Sequence, residues 1–169
     1  MEISVNRALK LVGEVFPFSW SGMLDDIEFN GATVHFTDEA SLNGVFSFDG
    51  KAFTVSGNFT GHYFARCARC DLPFTDVISF DFSERFIRSG VQNDEESYEY
   101  CGDSIDLLQA VTDNMLLNLP LVNVCSEDCK GLCPKCGVNL NKETCSCSMV
   151  NCNSPFSVLL QLQNEDKEV

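Results

Sequence analysis

Six cysteines lie within 23 residues, between Cys125 and Cys147, in a stretch with few core-forming side chains. The stretch includes "GLCPKCGVNL", in which a Cys-x2-Cys pair is flanked by glycine and interrupted by proline. Proline fixes one backbone φ angle, and glycine permits the bend that turns backbone amides toward the sulfurs. Because a segment without a hydrophobic core needs another source of order, this spacing predicts that bound metal holds the region together.

Eight cysteines divide into two sets of four. The first predicted site takes its ligands from a Cys-x2-Cys and a Cys-x-Cys turn: Cys133, Cys136, Cys145 and Cys147. Two cysteines are then left without partners, and pairing them with those of "RCARC" gives a second predicted site: Cys67, Cys70, Cys125 and Cys129. Zinc is favoured over an iron–sulfur cluster because the ligands are typical of closed structural sites. Cys101 and Cys152 are left as spare thiols.

The cysteines are also open to other interpretations. Disulfides are disfavoured because the N-terminal residues lack the pattern of an export signal. A redox dithiol at Cys67 and Cys70 is the rival to the second site, although no thioredoxin-like βαβ pattern surrounds the pair. Sites closed by four cysteines have no open position for a substrate, and no phosphate loop or nucleophile elbow occurs. The sequence therefore predicts a scaffold, with no catalytic residues, and not an enzyme.

The residues from Ile3 to about Arg88 alternate with a period near two. In "FTVSGNFTGHYF" one face carries Phe53, Val55, Phe59 and Tyr63 and the other carries polar residues, as in a half-buried strand. "FTDVISFDFSERF" shows the same alternation at Phe74, Ile78, Phe80, Phe82 and Phe86. Asn30-Gly31 and Asp49-Gly50 are typical of tight hairpins. We expect an antiparallel sheet of five to seven strands, after a short helical turn near residues 7–11. The acidic stretch "SGVQNDEESYEYCGD" is interpreted as a surface loop.

The spacing of "SIDLLQAVTDNMLLNLP" changes to three and four residues and predicts a helix over 104–119, with Ser104 as its cap. A short helix is also expected after Ser154. The predicted class is α+β: a mainly antiparallel sheet or partial barrel, one or two packed helices, and a C-terminal zinc-knuckle-like segment. The predicted divisions are a β-rich core over 1–122, a metal-binding segment over 123–152, and a terminal helix and tail over 153–169.

The chain carries 25 acidic against 11 basic residues, a formal charge of −14. Such a field repels phosphate and attracts cations, so the charge favours a basic protein partner over bare RNA. An acidic surface that serves solubility alone explains the charge equally well. The alternative is a zinc-dependent RNA-binding module, for which a small cluster of arginines on the sheet supplies the only candidates: Arg66, Arg69, Arg85 and Arg88. No apolar run is long enough to span a membrane.

The order of "RCARC", "IDLLQAVTDNMLLNLPLVNVC", "CKGLCPKCGVNLN" and "SPFSVLLQL" resembles the bacterial YceD family of large ribosomal RNA subunit accumulation proteins. The resemblance implies a cytoplasmic, non-enzymatic protein needed for synthesis, processing or stability of the 23S ribosomal RNA. Together with the negative charge of the chain, it makes a basic ribosomal protein or ribosome assembly factor the expected partner. It also implies that Cys67, Cys70 and the cluster from Cys125 to Cys147 are the characteristic cysteines, and it supplies no catalytic residues.

Overall fold

The computed structural model describes residues 1–29, 31–90 and 97–147. Nine strands and one α-helix lie in these ranges. The strands are β1 (Glu2–Ser4), β2 (Val15–Gly22), β3 (Ile27–Phe29), β4 (Ala32–Phe36), β5 (Ala40–Phe48), β6 (Ala52–Arg66), β7 (Pro73–Arg88), β8 (Tyr98–Tyr100) and β9 (Ser104–Asp106). The helix, α1, covers Leu108–Asn118, and a short 3-10 helix at Ala8–Lys10 confirms the helical turn expected near residues 7–11.

The long hairpin of β6 and β7 is the centre of the fold. The two strands pair antiparallel along their whole length, from Ala52 opposite Ile87 to Arg66 opposite Pro73. Five of their phenylalanines alternate inward and are buried, which confirms the predicted period of two: Phe53, Phe59, Phe80, Phe82 and Phe86. Phe64 is the exception in β6, because it lies on the other face and is 41% exposed. Phe59 and Phe80 stack across the hairpin with ring centroids 5.1 Å apart. Hydroxyl and amide side chains cover the opposite face, where Ser56 contacts Ser83 and Asn58 donates to Asp81. The alternation therefore leaves one apolar face for the core and one polar face for solvent.

Seven strands form the main sheet, in agreement with the five to seven expected. β5 pairs with the first part of β6 and β4 pairs with its last part, so both lie on the side of β6 opposite β7. β2 is an edge strand beside β5, and β3 is an edge strand beside β4. The sheet is open: within the described ranges it does not close into a barrel, so the sheet is better described as an open antiparallel sheet than as the partial barrel of the prediction.

Part of the acidic stretch interpreted as a loop is a strand. Residues Tyr98–Tyr100 form β8, which pairs parallel with the end of β7. Tyr98 stacks on Phe86 with ring centroids 5.4 Å apart, and Tyr100 meets the edge of Phe53 at 5.3 Å. The packing of these two aromatic rings stabilises the pairing of β8 with β7, which the acidic composition of the segment did not predict.

The helix begins four residues later than predicted. Residues Ser104–Asp106 form β9, which pairs with β1, so Ser104 is not the helix cap. Ile105 is completely buried, and the pairing with β1 satisfies backbone groups that a helix would otherwise have used. Asp106 accepts a hydrogen bond from the backbone N–H of Leu108 at 3.0 Å and so marks the true start.

The helix packs on the core face of the sheet, as predicted, and buries Ala110, Val111 and Met115. Two side-chain contacts fix its position: Tyr98 donates to Asp113 at 2.9 Å, and Asn114 donates to Glu84 at 2.7 Å. The helix ends before Pro120, which cannot continue it. The second helix expected after Ser154 lies outside the described residues. No helix in the described part of the chain is long and apolar enough to cross a membrane.

Both predicted hairpin turns are present. Phe29 pairs with Ala32, so two residues join β3 to β4, and Gly31 has a φ of 76°. At the other turn, Asp49 accepts hydrogen bonds from the backbone N–H groups of Ala52 and Lys51, and these bonds lower the pKa of its carboxyl group.

Candidate metal centre

The first sulfur set begins in the turn between β6 and β7. Cys67 follows the last residue of β6, and Cys70 lies three residues further on, shortly before β7 starts. The turn is held by a bond from the N–H of Cys67 to the carbonyl oxygen of Leu72 and by one from the N–H of Asp71 to that of Cys67. Asp71 has a φ of 55°, a left-handed conformation that reverses the chain. A tight turn at the end of a long, rigid hairpin therefore presents both sulfurs together.

The other two sulfurs of this set, Cys125 and Cys129, come from the segment that follows α1. Asn123 fixes the path of that segment, because its carbonyl oxygen accepts from Ala68 N–H at 2.8 Å and its side chain accepts from Tyr63 at 3.0 Å. The guanidinium of Arg69 donates to the carbonyl oxygens of Glu127 at 2.9 Å and Cys129 at 3.0 Å. Backbone and side-chain bonds thus hold the segment against the hairpin turn before any metal is considered.

The four sulfurs of the first set lie within 4.8 Å of one another. The Sγ atoms of Cys67 and Cys129 are 3.8 Å apart, and those of Cys70 and Cys125 are 3.7 Å apart. Four sulfurs placed tetrahedrally about 2.3 Å from a central ion would be separated by about 3.8 Å. The observed distances match that arrangement and are far longer than a disulfide bond. The donor set therefore fits a tetrahedral metal ion.

The second sulfur set lies in the next turn of the chain and also gathers within 4.8 Å: Cys133, Cys136, Cys145 and Cys147. The N–H of Cys133 donates to the carbonyl oxygen of Val138, and the N–H of Gly137 donates to that of Cys133, each at 2.8 Å. Gly137 has a φ of 73°, which only glycine adopts without strain. Cys133 is the one buried cysteine of this set, whereas three of the four in the first set are buried, so this set lies nearer the surface than the first.

The thiols within each set differ in pKa, because backbone amides lower some values and neighbouring thiols raise others. The backbone N–H groups of Cys125, Cys70 and Arg69 lower the pKa of Cys67 to about 6, although burial opposes the change. Those of Cys136 and Lys135 do the same for Cys133. The neighbouring thiols have the reverse effect, and they raise the pKa of Cys125 and of Cys147 to about 12. Four thiolates this close repel one another, so a cation is required before all four ionise.

The two sets are joined into one unit. Only three residues separate Cys129 from Cys133, and the central one, Gly131, has a φ of 74°. Leu132 N–H donates to the carbonyl oxygen of Arg69 at 2.9 Å, so the hairpin turn contacts the chain between the sets. Asn141 belongs to the second turn, yet its side chain donates to the Sγ of Cys129 at 3.3 Å and accepts from Lys130 N–H at 2.8 Å. Hydrogen bonds therefore link the two sets directly.

The sequence predicted the two groups of four sulfurs that the structure brings together, but not the polar side chains around them. Asn123 and Asn141 hold the two turns in place. Of the two, only Asn141 lies in a stretch that repeats asparagine, "VNLNK", and nothing in the sequence marks Asn123. Metal binding at these eight sulfurs stays a prediction. Cys101 is exposed, and its thiol lies 3.1 Å from the hydroxyl of Ser89, outside both sets. Cys152 lies outside the described residues.

The four arginines proposed as RNA contacts lie in two separate places. Arg85 is opposite Thr54 in the β6–β7 ladder, about twelve residues from Arg66, or about 40 Å at the usual rise of a strand. Arg66 pairs with Asp71 at 3.3 Å, and Arg85 pairs with Asp49 at 3.5 Å. Arg69 is occupied by the carbonyl oxygens described above, and Arg88 is in the last position of β7. They do not form one patch, and RNA contact by any of them stays a prediction.

The fold and the site together define a class: an open antiparallel sheet whose central hairpin carries one of two joined four-cysteine clusters. The model of the family described as "Large ribosomal RNA subunit accumulation protein YceD" matches residues 55–163, which cover most of β6, β7, α1 and both clusters. The chain belongs to the YceD family.

Several curated proteins are similar to this chain over part of its length. An uncharacterised protein of Mycobacterium tuberculosis is 35% identical over 94 residues, which are 53% of this chain and 45% of the relative. An uncharacterised protein of Mycobacterium leprae is 29% identical over 91 residues, 51% of this chain and 42% of the relative. A protein of Arabidopsis thaliana, "Large ribosomal RNA subunit accumulation protein YCED homolog 1, chloroplastic", is 35% identical over 66 residues, 38% of this chain and 21% of the relative.

The match therefore spans less than half the length of the curated relatives. No solved structure matches the chain.

Proposed function

We propose that this protein is a non-catalytic factor for the accumulation of large-subunit 23S ribosomal RNA. In this proposal, zinc in both sulfur sets stabilises the protein. It acts in the cytoplasm by binding a basic ribosomal protein or assembly factor. The family match over residues 55–163 carries the proposal, since it covers both sulfur sets and supplies the ribosomal process. The name of the Arabidopsis relative points to the same process.

Zinc is the metal we assign to the two sets. Four thiolates satisfy a tetrahedral zinc ion completely, and such closed sites are structural because no coordination position is left for a substrate or water. The bound ion supplies folding energy that the region lacks, since Gly131, Pro134 and Gly137 pack no apolar side chain into a core. This arrangement supports a scaffold role.

The charge of the chain supports a protein partner. The region from residue 123 to residue 147 has three lysines and three acidic residues, so it is neutral before metal binding. Each set of four thiolates with one zinc ion adds a charge of about −2. RNA binding instead needs a net positive surface that displaces cations from phosphates. The separation of the four arginines, and the pairing of Arg66 and Arg85 with acids, also disfavour direct RNA contact.

Binding assays with purified components test the proposal. The full chain, loaded with zinc, is titrated with single purified proteins of the large subunit and, separately, with large-subunit RNA fragments over a range of salt concentrations. We expect binding of at least one basic protein and little RNA binding at any salt concentration. RNA binding that falls steeply as salt rises would instead establish the RNA-binding module.

The cellular test uses depletion and rescue. Depletion should lower 23S relative to 16S ribosomal RNA, and the wild-type chain should restore the ratio. Cys67→Ser should fail to restore it, whereas Cys101→Ser, which changes a thiol outside both sets, should succeed. Rescue by Cys67→Ser would contradict a requirement for the first metal site.

A further inference from the structure

We propose that the groove between the β3–β4 hairpin and the chain after α1 is the docking surface for a basic amphipathic segment of the protein partner. This inference rests on the proposed function, and it names the surface and the chemistry of the segment that binds there. The groove encloses about 450 Å³. Its walls are formed from three parts of the chain: Phe29 and Val34 from the hairpin, Phe64 and Arg66 from β6, and Pro120 and Leu121 after α1.

The groove exposes apolar side chains that the fold itself does not use. Leu121 is 82% exposed, and Phe64, on the opposite wall, is 41% exposed. Exposed leucines and phenylalanines that share a groove mark an interaction site more often than single exposed residues do. The apolar part of the groove is therefore suited to one or two aliphatic or aromatic side chains of a partner.

Acidic residues surround this apolar part. Three carboxylates each contact a side chain of the lining: Asp26 lies 2.7 Å from His35, Glu28 accepts from Thr33 at 2.7 Å, and Asp76 accepts from Tyr63 at 3.5 Å. Among the lining residues the only lysine or arginine is Arg66, which Asp71 neutralises. The groove is therefore negative around an apolar floor, which is complementary to lysines and arginines that flank an apolar anchor.

The sequence shows that this charge pattern extends beyond the contacts. No lysine or arginine occurs from residue 11 to residue 50, which supplies the hairpin wall, or from residue 89 to residue 129, which supplies the helix wall. The first sulfur set adds further negative charge when it holds zinc, because Cys67 follows Arg66 directly. A polyanion such as RNA is repelled by the same field that attracts a basic peptide.

Charge also argues against the two other occupants. Residues 148–169 contain three acidic residues and one lysine, so this chain's own terminal segment carries the same sign as the groove. A second copy brings a formal charge of −14.

Asn123 connects the groove to the first sulfur set, since it lies in the groove lining and holds the segment that carries Cys125. Zinc in the first set therefore fixes one wall of the docking surface.

The test uses the full chain and a fluorescent amphipathic peptide of leucine and lysine, with a leucine–glutamate peptide as the charge control. We expect the wild type to bind the first peptide and not the second. Leu121→Asp should weaken binding by about tenfold or more, as loss of a central anchor does. Leu117→Asp is the matched control, because Leu117 is 84% exposed near the end of α1, four residues before Leu121, but does not line the groove. Equal effects of the two substitutions, or no effect of either, would overturn the proposal.

A double variant tests the acidic rim. Asp26→Asn with Glu28→Gln should weaken peptide binding and reduce its dependence on salt, whereas Glu14→Gln with Asp38→Asn should change neither. A photo-crosslinking residue placed at Leu121 should label the peptide. Labelling of residues 148–169 or of a second copy, when it excludes the peptide, would assign the groove to those occupants and overturn the proposal.

These outcomes are distinct from failure of the proposed function. If a ribosomal protein binds the wild type and Leu121→Asp equally well, the groove assignment is wrong and the function stands. If the leucine–lysine peptide binds at Leu121 but no ribosomal protein binds, the groove is a basic-peptide site and the ribosomal partner is wrong.

Discussion

Asn141, in the turn that carries the second sulfur set, donates a side-chain hydrogen bond to the sulfur of Cys129 in the first set, over a distance of 3.3 Å. An amide that donates to a metal-binding thiolate stabilises its negative charge and fixes its orientation. The bond crosses from one set to the other, so each set contributes to the geometry of its neighbour.

We expect Asn141→Ala to weaken metal binding at the first set, because the substitution removes the hydrogen-bond donor to the sulfur of Cys129. Loss of such a contact lowers metal affinity by about 10- to 100-fold. Competition with a chromophoric zinc chelator should then show one of two zinc ions leaving earlier than in the wild type. Thr144→Ala, an exposed change in the same turn, is the control and should leave both release steps unchanged.

Zinc content provides a second prediction. Elemental analysis of protein prepared under reducing conditions should give about two zinc ions per chain, because two sets of four sulfurs meet the requirements of the ion. Cys67→Ser and Cys133→Ser should each remove about one ion, and Cys101→Ser should remove none. A wild type that carries no metal would contradict the assignment of both sets.

The chain between the two sets is sensitive to a single methyl group. Gly131 has a φ of 74°, and a Cβ atom there would lie 2.8 Å from the carbonyl oxygen of Arg69. Gly131→Ala should therefore lower the free energy of unfolding of the zinc-loaded protein by roughly 1–3 kcal/mol. Two effects could cause this loss: backbone strain at a positive φ, and the close contact of the Cβ with Arg69. Gly137→Ala separates them, since the φ of Gly137 is 73° but no atom lies within 4 Å of the added Cβ. It should cost less than Gly131→Ala in thermal unfolding, and an equal cost would mean that the contact with Arg69 contributes nothing.

The raised pKa of Tyr63 predicts that the protein loses stability at high pH. Burial and the neighbouring carboxylate of Asp76 raise the pKa of Tyr63 to about 12, above its ordinary value near 10. A phenol whose pKa is raised by folding contributes stability that is complete below about pH 10 and is lost as the pH rises toward about 12. The free energy of unfolding, measured by chemical denaturation, should fall over that window.

Tyr63→Phe should make this fall smaller, and it should also free Asn123 from its bond to the tyrosine hydroxyl. Tyr98→Phe is the matched comparison, since burial and Asp113 raise the pKa of Tyr98 to about 12 as well. It should reduce the pH dependence without raising hydrogen exchange near Asn123. Equal exchange in the two variants would mean that the bond from Tyr63 does not hold that segment.

The sequence alone was sufficient for the parts of the fold that local pattern determines. Alternation identified β6 and β7 because each strand is long and half-buried, and cysteine spacing predicted both sulfur sets because two short turns each supply two ligands. Strands of three residues have no period to detect. β8 and β9 exist because Tyr100 and Ile105 find buried positions against distant parts of the chain, which only the folded structure defines.

The same limit applies to the functional surface. Arg66 and Arg85 are close enough in sequence to suggest one patch, yet the register of the long hairpin places them near opposite ends. Leu121 lies beyond the predicted helix, where no sequence pattern singles it out, and only the structure shows that it lines a groove together with Phe64.

The first sulfur set joins Cys67 to Cys129, 62 residues later in the chain. During synthesis on the ribosome, the turn of the central hairpin emerges well before the residues that complete its metal site. The thiols of Cys67 and Cys70 must therefore wait, without their two partner cysteines, for the last third of the polypeptide, and the newly made chain is most vulnerable to oxidation in that interval. Closure of the first site is a late event that reports that translation has passed residue 129.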